Sequence, residues 1–306
     1  MALETEVWSE DIQENLFADD AFVLRGTDHS AFISNLTVHV PQAGANPAVE
    51  KARAVIPAVI KKRTDTDLTY NLAEFTTEPI VVRDVEDLQN SYDKRMSVLR
   101  QHVDTLGETI GNHTAFEWGV SNGARIVRTS GSAVATALSS GATGTRNAIT
   151  LVDIAKLRAI MDKDNVPKKG RVLLIDSDIY NNQLITIPDV YQQQSIGMSN
   201  LPEGVVQRLY GFDIMIRSFV ITYDDAGTPV RKPIGANGLP IATATDDNIG
   251  CIAFHPSFVS QAVGGTNIFS EEKSPTMYGD VFSAGQMFGA AKLRTDQKGL
   301  ATLVQT

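Results

Sequence analysis

Cysteine occurs once in the 306 residues, at Cys251, which excludes an intrachain disulfide and any zinc site built from several thiolates. Beside Ile252 and Phe254 it reads as a packed core thiol. Long apolar runs are missing as well. No stretch approaches the eighteen or more residues of a membrane-spanning helix, and the first residues are acidic where a secretory leader is basic and then apolar, so synthesis inside the cell and no membrane contact are expected. Cations are outnumbered: 27 Lys and Arg face 36 Asp and Glu, a formal net charge of −9. That excess argues against a surface devoted to nucleic acid, whose phosphates require clustered Lys and Arg. His29, His39, His102, His113 and His255 never stand four apart on one helix nor within a cluster of carboxylates, so no metal is expected, and no cofactor. The Gly-rich run from Gly141 to Arg146 lacks the Gly-Lys-Ser/Thr ending of a phosphate loop.

What is present is a chain that can bury a core, 42% hydrophobic and 21% charged, with size for one large or two modest domains. From Val85 onward, Leu88, Tyr92, Met96, Leu99, Val103, Leu106 and Ile110 recur in steps of three and four, predicting one apolar stripe along a helix of roughly seven turns, a strut about 40 Å long. Ahead of it lie extended segments at Asn35 to Pro41 and Asp67 to Val82 flanking a polar excursion, Gln42 to Thr66. Together they predict a hairpin arm that needs support from outside itself. The charges are segregated. Residues 1–30 carry Glu4, Glu6, Glu10, Asp11, Glu14, Asp19, Asp20 and Asp28 against Arg25 alone, whereas the excursion carries Lys51, Arg53, Lys61, Lys62 and Arg63 against Glu50 and Asp65. Such opposite charges can match between copies, which makes Glu10, Asp11, Glu14, Lys51, Arg53, Lys61, Lys62 and Arg63 candidate inter-subunit contacts.

Elsewhere the chain reads as follows. Ser9 is placed to cap a short helix to about Ala18. The Gly-, Ser- and Thr-rich stretch from Gly119 to Asn147 predicts a flexible connection with a short strand at Arg125 to Arg128. Thr150 and Asp153 form the start of a helix with Leu151, Ile154, Leu157 and Ile160 on one face. Strands are expected at Arg171 to Ile175, Phe212 to Tyr223 and Ile249 to Phe254, a helix from about Ser177, a short helix near Pro256, and a long loop from Asp224 to Asn248. Gly289 to Thr295 and Gly299 to Gln305, around Asp296-Gln297-Lys298, predict a closing strand pair.

The helix ending in Asp162-Lys163-Asp164-Asn165-Val166-Pro167, then Lys168-Lys169-Gly170-Arg171, a hydrophobic strand and Ile179-Tyr180-Asn181-Asn182-Gln183-Leu184 resembles a segment of the major capsid proteins of tailed double-stranded DNA bacteriophages. Gly211-Phe212-Asp213-Ile214 and Ile252-Ala253-Phe254-His255-Pro256 resemble later landmarks of that family. The resemblance implies an α+β fold of the Hong Kong 97 (HK97-like) type. Its parts are an N-terminal arm (1–34), an extended β-hairpin arm or E-loop (35–82), a spine helix of a peripheral (P) domain (83–118), a mixed α/β axial (A) domain (119–262), and strands returning to the peripheral domain (263–306). It implies a structural protein, not an enzyme, assembling as pentamers and hexamers into an icosahedral virion shell around loosely held DNA. Scaffolding protein, portal and decoration proteins are the implied partners, and the host cytoplasm the implied place of synthesis. Some relatives join subunits through an arm lysine; Lys51, Lys61 and Lys62 lie in such a region, but no partner Asn or Glu is identifiable, and no cross-link is expected.

Two other readings stand beside this one. An encapsulin-like compartment would have the same architecture with an enzyme cargo. A Mg²⁺-dependent phosphatase of the haloacid dehalogenase type would use Asp176 and Asp178, two apart after a buried strand. Against it, Asp176 or Ser177 is well placed simply to cap the following helix.

Overall fold

In the computed structural model the described residues are 19–53, 56–57, 60–83, 94–135, 144–188, 190, 205–224, 227–235 and 247–306. The expected helix from Ser9 to Ala18 and the first turns of the strut, Val85 to Asp93, lie outside them. The described chain is α+β, with two main sheets and two long helices. Its strands are β1 (Thr27–Asp28), β2 (Ile33–Ser34), β3 (Thr37–Gln42), β4 (Thr66–Asn71), β5 (Ala73–Thr76), β6 (Ile80–Arg83), then helix α1 (Lys94–Trp118), β7 (Ile126–Arg128), β8 (Ala133–Ala135), β9 (Thr145–Asn147) and helix α2 (Leu151–Lys163). Strands β10 (Arg171–Asp176), β11 (Gln207–Leu209), β12 (Phe212–Arg217), β13 (Ile221–Asp224), β14 (Val230–Arg231), β15 (Asp247–Phe254), β16 (Val259–Ser274), β17 (Gly279–Lys292) and β18 (Leu300–Val304) follow.

The large sheet runs β11-β12-β10-β15-β13-β14, with β18 pairing both β15 and β7. Strand β10 is buried at every position, as its unbroken apolar run requires of a strand covered on both faces. Alternation sorts the side chains. Leu173, Ile175, Ile214, Cys251 and Ala253 face a core shared with Ile154, Leu157 and Met161 of α2; Val172, Leu174, Met215, Ile252 and Phe254 face one shared with Phe22, Ile110 and Trp118. Helix α2 begins at the expected capping box: Asp153 N–H donates to the Thr150 hydroxyl and the Asp153 carboxylate accepts from Thr150 N–H.

The second sheet runs β1-β16-β17-β5, with β6 also on β17, and α1 packs across β17. Strands β3 and β4 form the arm's antiparallel stem, over a small cluster of Val38, Leu72 and Ala262.

Several expectations need correcting. The buried stripe of α1 coincides with the expected apolar one only in part, at Leu106 and Ile110. Met96 and Val103 are exposed and Leu99 half-buried, while Val98, His102, Leu106, Ile110, Thr114 and Trp118 are buried. Steps of four advance about 40° each, so the buried line winds around the helix, meeting Val82 and Phe282 at one end and Phe22 and Phe254 at the other. The stretch after α1 is bound rather than loose where it is described: Val120 N–H donates to Thr302 Oγ1, Arg125 pairs with Asp164, and β7 joins the sheet. The expected strand Phe212 to Tyr223 is two strands, β12 beside β10 and β13 beside β15. The expected closing pair does not form. Strand β17 pairs β16, β18 pairs β15 and β7, and the turn between them hands the chain from one sheet to the other. At that turn Gly299 has φ +88° against the Phe258 ring, a conformation and a closeness that suit glycine.

Candidate functional site

The carboxylates of the phosphatase reading have different surroundings and different partners. Asp176 is buried, and one of its oxygens accepts the Asp178 N–H at 2.9 Å, capping the turn Ser177–Ile179. Burial pushes its carboxyl up to about 6, which disfavours the ionised form a nucleophile requires. Asp178 is exposed and faces Asn182. Among the described residues no three His, Cys, Asp or Glu side chains converge as metal ligands. Three of the five histidines have local partners: His39 pairs Asp67 on the arm, His29 meets Ser260, and His255 accepts from Ser257 N–H. Cys251 is fully buried, its thiol pushed up to about 12 by burial, and is inert.

The surface features that remain are charged and apolar side chains exposed on the arm. On the excursion, Arg53 pairs Glu50 and Arg63 pairs Asp65, whereas Lys51, Lys61 and Lys62 are exposed without an ion pair among the described residues. Val49 just before these cations and Ile56 and Ile60 between them are 84–96% exposed. Charge counting overlooks them, although the near-apolar run from Ala52 to Ile60 is the visible signal. Large apolar side chains presented this fully on an arm mark an interaction surface. The acidic candidates Glu10, Asp11 and Glu14 lie outside the described residues, so the structure neither brings them to the cations nor separates them.

Asp20, at the root of the acidic segment, is committed within its own subunit. Arg217 is fully buried and donates to Asp20 Oδ1 from Nε at 3.1 Å and Nη2 at 2.9 Å, and to Asn112 Oδ1 and Phe219 O from Nη1. Its guanidinium also sits 5.6 Å from the Phe22 ring centre. One cation thereby ties residues 20–22, α1 and the end of β12. Gly111 makes room, since a Cβ there would fall 1.8 Å from Asp20 Oδ1. Burial raises the Asp20 carboxyl to about 6 even against the opposing pull of Arg217. A second anchor closes α1: Lys292 donates to the carbonyls of Glu117 and Gly119, and burial lowers its ammonium to about 8.

No family model and no curated protein matches this sequence. Solved structures do match over almost the whole chain. The capsid structure of the cyanophage P-SCSP1u is similar with a TM-score of 0.68 and 16% identity, over 98% of this chain and 92% of that one. A Mycobacterium phage Che8 structure is similar with a TM-score of 0.63 and 18% identity, over 99% and 98%. The capsid of Ralstonia phage GP4 gives 0.65 and 10%, over 98% and 94%. The chain therefore has the α+β, HK97-like fold of phage capsid subunits.

Proposed function

We propose that this chain is a major capsid protein, a coat subunit that self-assembles through pentamers and hexamers into an icosahedral shell around packaged double-stranded DNA. The observation that carries this reading is the likeness to phage capsid structures over 98–99% of this chain. Similar chains include capsids of GTA particles computed with C5 symmetry. The surface fits the role: an arm stem of two strands carries an exposed apolar and cationic tip, and contacts that are individually weak become strong when each copy makes several. A net charge of −9 suits a container that holds DNA loosely, because strong phosphate contacts would oppose packing and release. An encapsulin-like compartment has the same fold, but P-SCSP1u, Che8 and GP4 are phages.

In this reading the arm (35–82) overlaps a neighbouring copy, the segment 1–34 meets the arm of another, and α1 with β16 and β17 forms the periphery of a tile whose axial part is the large sheet. Strand β18 belongs with that axial part. Scaffold, portal and decoration proteins would be the further partners, the host cytoplasm the place of synthesis and the virion the destination. Expression of the full chain followed by electron microscopy tests the reading. Hollow particles of megadalton mass are expected; a protein that stays a monomer to tetramer under all assembly conditions would reject it.

A further inference from the structure

Strand β16 is sixteen residues long, yet only its first part has neighbours on both sides. Its outer edge pairs β1 at Ser260 and Gln261, and Ser30 Oγ accepts from Val263 N–H. Beyond that the edge has no strand partner among the described residues. Nine consecutive residues, Gly265 to Lys273, are all exposed, and Ile268 and Phe269, which point to opposite faces, are 55% and 52% exposed. Proteins usually shorten such an edge, cover it or charge it, because a row of free N–H and C=O groups is a template for another strand. Here the charges sit at one end only, at Glu271, Glu272 and Lys273.

We propose that the edge Asn267–Glu271 pairs antiparallel with the same edge of a second copy of this chain, across a two-fold axis through Phe269. The occupant follows from the sequence of the edge itself. Phe269 is the midpoint of the nine exposed residues and lies inside the regular run Thr266–Glu271, between the two irregularities of the β16 ladder. This register sets Phe269 against Phe269, Ile268 against Ser270 and Asn267 against Glu271, and the pairing ends where Lys273 turns away at φ +53° and gives its N–H to Asp280. The Glu271 carboxylate then faces a side chain that can donate a hydrogen bond, and no like charges are opposed. Sliding the axis to Glu271, Glu272 or Lys273 would oppose like charges directly, which destabilises a strand pair. An isologous contact of this kind closes on itself and fixes the angle between two sheets. The contact goes beyond the shell reading, because two copies suffice for it.

Cysteine pairing in the full chain tests the register. Directly opposed residues of an antiparallel pair lie about 4.5–5.5 Å apart, within disulfide range, and buried Cys251 does not compete. Under mild copper–phenanthroline oxidation, Phe269→Cys is expected to give mostly a species of twice the chain mass. Glu272→Cys, whose symmetry mate would be about 20 Å away, stays at single mass. The double variant Asn267→Cys with Glu271→Cys, which leaves Phe269 over Gly285, should also dimerise. No dimer from Phe269→Cys and from the double variant, or equal dimer from Glu272→Cys, overturns the proposal. Imaging the same samples separates the two readings: particles without the bridge defeat the edge contact alone, and bridged dimers without particles defeat the shell alone.

Discussion

Arg217 and Asp20 show how much of this subunit depends on single side chains. Arg217→Met would leave Asp20 packed against α1 without its cation, and breaking a buried pair from one side costs about 3–5 kcal/mol. Urea unfolding of the unassembled subunit should show that loss, with part of it restored by adding Asp20→Asn. Asp176 gives a pH-dependent counterpart. Its folded carboxyl is raised from 3.8 to about 6 by burial, so the folded state holds a proton that the unfolded state has released. The stability linked to that proton is complete below pH 4 and is lost as pH rises to 6. Asp176→Asn keeps the cap and removes the titration. The variant should therefore gain stability relative to the parent between pH 4 and 6, with a constant difference on either side; melting curves that track each other across pH 4 to 8 would contradict this.

At the scale of elements, α1 decides its own test. Leu106 is buried and Leu99 only half-buried. Leu106→Ala should cost about 2–5 kcal/mol, Leu99→Ala clearly less, and exposed Met96→Ala almost nothing, as read from unfolding midpoints. The sequence stripe was right at Leu106 and Ile110 and wrong at Met96 and Val103 because only apolar residues were counted, whereas this helix also buries His102, Asn112 and Thr114, whose hydroxyl is satisfied by Ile110 O. Elements with local causes were legible: the Thr150–Asp153 box, the doubly covered β10, the cap at Asp176 and the short helix at Pro256. Elements set by distant partners were not. Asp296 to Lys298 looks like a hairpin turn, yet β17 and β18 each have longer partners elsewhere. Strand β16 was hidden because an edge exposed on both faces has no alternation to detect. The arm was visible through its charges, but its apolar tip was missed until exposure was known.

For the whole molecule, the arm tip is where assembly should be sensitive. Reversing Lys61, Lys62 and Arg63 to Glu is expected to weaken particle formation most at low salt, where exposed ion pairs are least screened; normal assembly of that triple variant at low ionic strength would remove the arm's cations from the contact. Boiling assembled particles in denaturant should release a single band near 33.1 kDa, and a ladder that survives reduction would reveal covalent ligation. A different consequence follows from β18. It supplies the parallel neighbour of β7 and a neighbour of β15, and it accepts a hydrogen bond from Arg125 at a residue 175 positions away. During translation β7 and Arg125 therefore wait for nearly the whole of the remaining chain before their places in the sheet exist. Contacts this remote in sequence form late. In a chain that grows from its N-terminus, the stem strands β3 and β4 are therefore complete long before the large sheet receives its last strand.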